Sequence, residues 1–116
     1  MVKISKRSER IAEEIRRVVS QSLLKNLKLP IDALVTINHV VMSPDISRAK
    51  VYFSVFGNKT EQSNVGELLK KREYLFKKEI ASKIHMKKTP KLIFAFDDTT
   101  EKAANVHKLL LNPNFV

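Results

Sequence analysis

Residues 34–56 read LVTINHVVMSPDISRAKVYFSVF, and this stretch decides the fold. From Leu34 to Val41 the side chains alternate, Val35, Ile37, His39 and Val41 facing one way and Leu34, Thr36, Asn38 and Val40 the other. That is the two-residue period of a β-strand. Ser43-Pro44-Asp45 interrupts it. Proline presets φ, and an Asp side chain can bond its own backbone two residues on, so the chain turns here. Arg48 to Phe56 alternates again, with Ala49, Val51, Phe53 and Val55 set against Arg48, Lys50, Tyr52 and Ser54. One face is apolar and the other polar and basic, the pattern of an antiparallel pair covered on one side.

Working outward, the period changes to that of a helix. Ile4, Ile11, Ile15, Val18, Val19, Ser22, Leu23 and Leu27 recur at three- and four-residue spacing, predicting a helix from Ser5 to about Lys28, capped by Ser5 or Ser8 and ended by Pro30. Glu13 and Arg17 are placed to pair on its outer face. After the hairpin, Gly57-Asn58-Lys59 and the polar residues 60–65 read as a loop. Helical spacing returns from about Val65 to Ile84, through Leu68, Leu69, Leu75, Phe76, Ile80 and Ile84. Lys70-Lys71-Arg72 breaks this stripe, so a junction between two helices is expected between Lys70 and Glu73. Lys87-Lys88-Thr89-Pro90 ends the second of them, and Leu92 to Asp97 is a third strand. Asp97-Asp98-Thr99-Thr100 reads as a turn and a cap for a last helix over about 100–111, stopped by Pro113.

The predicted order is helix, strand, strand, helix, helix, strand, helix. Three amphipathic strands cannot cover themselves, so the helices pack on one face in a two-layer α+β arrangement. A chain of 116 residues makes one domain, residues 1–116, with a core over about 4–98.

Composition removes several classes of function. No apolar run reaches the ~20 residues of a membrane span, and the first 20 residues hold no secretory apolar region. With no cysteine there is no disulfide, thiolate metal site or cysteine nucleophile, and the protein is expected inside the cell. The only glycines, Gly57 and Gly66, form neither a P-loop nor a dinucleotide fingerprint.

The net charge of +10 is unevenly spread. Residues 1–28 carry eight basic and three acidic side chains, residues 70–91 nine basic and two acidic, and the rest is slightly acidic. Such a field attracts polyanions, and in the cell these are nucleic acids. The candidate phosphate contacts are Lys70, Lys71, Arg72, Lys77, Lys78, Lys83, Lys87, Lys88 and Lys91, with Lys6, Arg7 and Arg10 on the first helix. Long charged side chains also serve simply to keep a small protein in solution. His39, His85 and His107 have no metal-ligand spacing and read as packed or solvated, although His85 falls within the basic zone. Tyr52, Phe94 and Phe96 could stack on bases, core packing being expected of the two phenylalanines. No catalytic cluster, metal site or cofactor site can be written, which disfavours a nuclease.

Three stretches carry a resemblance: Arg10-Ile11-Ala12-Glu13-Glu14-Ile15-Arg16-Arg17, the hairpin Ser43-Pro44-Asp45-Ile46-Ser47-Arg48-Ala49-Lys50-Val51-Tyr52, and Lys87-Lys88-Thr89-Pro90-Lys91-Leu92-Ile93-Phe94-Ala95-Phe96-Asp97. Together they resemble the ribosome-binding factor A family, whose fold is that of a bacterial-type (type II) KH domain. Lys87 stands where that family has arginine. The resemblance implies a cytoplasmic, monomeric, non-catalytic ribosome assembly factor. Such a factor binds the free or immature 30S ribosomal subunit near its neck, assists late 16S rRNA maturation including the 5′ end, and supports growth in the cold. It implies no cofactor, membrane or small-molecule substrate. The alternative is a KH-like RNA- or DNA-binding protein with a different partner. The G-x-x-G loop with which most KH domains clamp a nucleic-acid backbone is absent. The family's A-x-G-type helix kink aligns near Arg72-Glu73-Tyr74, where neither Ala nor Gly stands.

Overall fold

The alternating stretch forms the expected hairpin. In a computed structural model, which describes residues 6–26 and 34–97, β1 (Leu34–Met42) and β2 (Arg48–Phe56) pair antiparallel around the Ser43–Ser47 turn. α1 (Lys6–Asn26) precedes them, and α2 (Lys59–Lys71), α3 (Glu73–Lys83) and β3 (Lys91–Phe96) follow. β3 lies parallel to β2, giving a mixed sheet in the order β1-β2-β3. This is the helix-strand-strand-helix-helix-strand order expected from the sequence. The expected cap at Ser5, the last helix near 100–111, Asp98 and His107 lie outside the described residues.

The apolar stripes meet in one core. Ile15 and Val19 of α1, Val51 of β2, Val65 and Leu69 of α2, and Phe76 and Ile80 of α3 are fully buried. Phe76 and Phe94 meet with ring centroids 5.4 Å apart. Spacing of three or four residues puts each of the helical side chains among them on the helix face toward the sheet. Ser8 lies within α1, 4% exposed, so it does not cap the helix.

Two expectations are corrected. Strict alternation along β1 fails at a bulge between Ile37 and His39. One extra residue flips every side chain beyond it. His39 and Val41 therefore face outward, whereas Val40 and Met42 join the core side. The second correction concerns residues 59–65, which belong to α2 rather than to a loop. Asn58 supplies the start signal: its Oδ1 accepts the Glu61 N–H at 2.8 Å. Removing an N-cap of this kind costs about 1 kcal/mol. Asn58→Ala is expected to lower the unfolding free energy by about that amount, read as a lower urea midpoint with an unchanged denaturant slope.

The junction between α2 and α3 falls at Arg72, within the expected interval. Its φ of −101° and ψ of 13° lie in the bridge region, which needs no glycine. The backbone N–H of Arg72 donates to Leu68 O at 3.1 Å and Leu69 O at 3.2 Å, closing α2, while its own carbonyl accepts from Leu75 N at 3.0 Å and opens α3. Backbone bonds hold this bend, which is why the absent alanine and glycine are not missed.

Candidate nucleic-acid interface

One end of the molecule brings together the first described turn of α1, the start of α3, the hairpin turn and the α3–β3 connection. They enclose a cleft of about 710 Å³ whose lining includes Arg7, Lys77, Lys87, Lys88 and Lys91. Two of these, Lys87 and Lys88, come from the connection into β3, and Lys91 is the first residue of that strand. The path of the connection is fixed at both ends: Ile84 N donates to Ile80 O at 2.8 Å, and Lys91 N donates to Ser47 O at 2.9 Å.

Two carboxylates, Asp45 and Glu73, also line the cleft. Both have structural partners. Glu73 Oε1 accepts the Leu92 N–H at 3.1 Å and so ties the start of α3 to β3. Asp45 Oδ1 accepts Ser43 Oγ at 2.8 Å, Ser47 N at 3.1 Å and Ser47 Oγ at 2.6 Å. The turn is completed by Arg48 N, which donates to Ser43 Oγ at 3.0 Å. These bonds hold Ile46 at φ 60°, the left-handed region that a β-branched residue rarely adopts. Packing of the Ile46 side chain against the core offsets that strain.

Hydrogen bonds from Ser47 and Ser43 hold the Asp45 carboxyl at about 2. A folded value below the unfolded value of about 3.9 stabilises the turn above that pH, and the contribution is lost as pH falls towards 2. The expected result is a carboxyl resonance of Asp45 titrating near 2, with faster amide exchange at Ser47 and Arg48 between pH 4 and 2. A midpoint near 4 would contradict the geometry.

The basic zone read from sequence is divided in space. Lys77, Lys87, Lys88 and Lys91 gather in the cleft, and Arg7 joins them from α1. Lys70 instead lines a second, shallower depression with Lys59 and Phe96. Lys71 and Lys78 are exposed, Arg72 is half-buried at the helix junction, and Lys83 Nζ lies 3.3 Å from Glu79 Oε2. Lys6 and Arg10 are exposed on α1 outside the cleft lining. Glu13 pairs with Arg17 at 3.5 Å as expected, and also accepts from Arg16 Nε at 2.9 Å. The Arg16 hydrogen bond lowers the Glu13 pKa.

The outer side of the sheet carries groups that the sequence reading left unassembled. His39 stacks on Tyr52 with ring centroids 4.4 Å apart and planes 19° from parallel. Lys50 Nζ stands 5.2 Å from the Tyr52 centroid. The alternation of Arg48, Lys50 and Tyr52 announced this face, but the bulge hid His39 from it. Asp97 is 8% exposed and its Oδ2 accepts Asn38 Nδ2 at 2.8 Å, so it ties β1 to the end of β3. Phe94 is buried as expected, whereas Phe96 sits at the rim, edge-on to Phe53. Among the described residues, no three His, Asp or Glu side chains are grouped to hold a metal ion. Among those residues, no helix is long and apolar enough to cross a membrane.

Comparison with known proteins adds the following. The family model described as ribosome-binding factor A matches residues 7–110. Ribosome-binding factor A of Caldanaerobacter subterraneus subsp. tengcongensis is 34% identical over 98% of this chain and 94% of its own length. That of Bdellovibrio bacteriovorus is 34% identical over 90% of this chain and 78% of its own. A homology model of Thermus thermophilus ribosome-binding factor A, fitted into a cryo-EM map of its complex with the 30S subunit, superposes with a TM-score of 0.68. It is 21% identical and covers 79% of this chain and 97% of that one, a likeness of fold.

Proposed function

Because this chain belongs to the ribosome-binding factor A family, we propose that it binds the free or immature 30S ribosomal subunit and assists late maturation of 16S rRNA, including its 5′ end, by binding alone and without catalysis. The observation that carries this reading is the cleft in which Arg7, Lys77, Lys87, Lys88 and Lys91 converge from three separate parts of the chain. Ammonium and guanidinium groups gathered around one concavity suit the phosphates of a folded RNA. Such contacts fix position and orientation and carry little sequence information, so the shape of the RNA supplies selectivity. In this reading the protein is a cytoplasmic monomer and its absence slows growth in the cold.

Sedimentation of cell extract on a sucrose gradient tests the proposal. Co-migration with free 30S subunits, and not with 70S ribosomes, supports it. Diffuse association with all nucleic acid would replace it with a KH-like RNA- or DNA-binding protein of another partner.

A further inference from the structure

The face of the sheet opposite the helices has a composition of its own. Strand register sets His39 beside Tyr52, Val41 beside Lys50, and Arg48 beside Lys91. Val41 is 42% exposed, and Ile93, next to Lys50 on β3, is 38% exposed. The His39 side chain is 48% exposed and caps the Tyr52 ring. Its Nδ1 lies 3.7 Å from Oδ2 of the buried Asp97, which also accepts from Asn38, so that contact takes the ring edge and leaves a ring face for a ligand. The strip thus presents stacked rings and apolar patches flanked by three cations.

We propose that this open sheet face binds an unpaired segment of RNA, with a base stacking on the His39–Tyr52 pair and Arg48, Lys50 and Lys91 holding the neighbouring phosphates. The inference rests on reading the adjacent cleft as an RNA site and extends that contact from phosphates to bases. Charge selects this occupant. A second copy docked face to face would oppose Arg48, Lys50 and Lys91 to their own equivalents, since a two-fold interface repeats one patch on both sides. A duplex hides the flat faces of its bases, whereas a single strand offers them to aromatic rings alongside its phosphates. Continuity favours the same answer: Lys91 lines the cleft and also opens the outer row of β3, so one strand can pass from cleft to sheet.

The probe is a short oligouridylate. The chain has no tryptophan and two tyrosines, so in a Tyr74→Phe background Tyr52 is the single strong emitter. Binding is expected to quench its emission. Tyr52→Leu and His39→Ala, followed by a labelled probe, should each weaken binding by about tenfold, the loss of one stacked base. Lys91→Ala should flatten the salt dependence by about 0.7 in log–log slope. Far-UV circular dichroism reports whether each variant is folded, and Tyr52→Phe, which keeps the ring, should restore affinity. Equal affinity in folded Tyr52→Leu, or an unquenched Tyr52 at saturation, overturns the proposal. So does concentration-dependent self-association that Tyr52→Leu abolishes, since a second copy would then be the occupant. Loss of 30S co-migration by the unaltered protein overturns the cleft reading instead, whereas 30S binding without any oligouridylate binding removes only the sheet-face proposal.

Discussion

Reversing three charges in the cleft, Lys77→Glu, Lys87→Glu and Lys88→Glu together, is expected to weaken 30S association by on the order of 10²–10³-fold near 0.1 M salt. The estimate follows from counterion release. Each phosphate contact contributes about 0.9 to the log–log salt slope, hence nearly a decade of affinity between 1 M and 0.1 M salt. Three contacts removed subtract almost three decades, and the slope should flatten by about the same number. At high salt the variant and the unaltered protein should converge. The fold should survive, because Lys87 and Lys88 are exposed and Lys77 is half-exposed. Lys70→Glu, Lys71→Glu and Lys78→Glu together are the matched control, since all three residues are exposed and none lines the cleft. A control variant as impaired as the cleft variant would show that net charge, not the cleft, governs binding. Filter binding or sedimentation over a salt series measures both quantities.

The second large effect is on stability. Phe76→Ala removes a fully buried ring that packs against Phe94 and joins α3 to the sheet. Large-to-small changes of this kind cost about 3–5 kcal/mol, against a total of about 5–15 kcal/mol for a typical domain. Urea denaturation should therefore show a much lower midpoint, with part of the population unfolded at 37 °C. A loss below about 1 kcal/mol would mean that the site closes over the cavity, and the packing described for α3 would need revision. RNA binding should fall together with stability in this variant, because α3 also carries Lys77. That parallel loss separates it from the charge variants, in which binding falls and stability does not.

The parts of the fold that were legible in the sequence are those governed by local periodicity. β2 is readable to the residue because no irregularity interrupts its alternation from Arg48 to Phe56. The junction at Arg72 is readable because Lys70, Lys71 and Arg72 break an apolar stripe. β1 was only half legible: a bulge is a matter of pairing with the neighbouring strand, and nothing in Ile37-Asn38-His39 marks where the partner slips. Residues 59–65 read as a loop because the start of α2 is polar on most sides, and the helix signal lies in one capping residue, Asn58.

The candidate site was less legible than the fold for a related reason. Basic residues can be counted along a chain, but their convergence depends on tertiary packing. Lys70 and Lys77 are seven residues apart and line different concavities, whereas Arg7 and Lys88 are distant in sequence and line the same one. The two carboxylates in the cleft are likewise understandable only from their partners, Leu92 N for Glu73 and the two serines for Asp45.

The parallel pairing of β3 with β2 has a consequence for the route by which the chain reaches this state. β1 and β2 are joined by a short turn and can zip early. β3 can align only once the long crossover through α2 and α3 has brought it back beside β2, and contacts between residues so distant in sequence form slowly. The walls that hold Lys87, Lys88 and Lys91 are therefore among the last to close. A nascent chain would acquire its hairpin before its grip, so that competence to engage a polyanion arrives only with completion of the sheet.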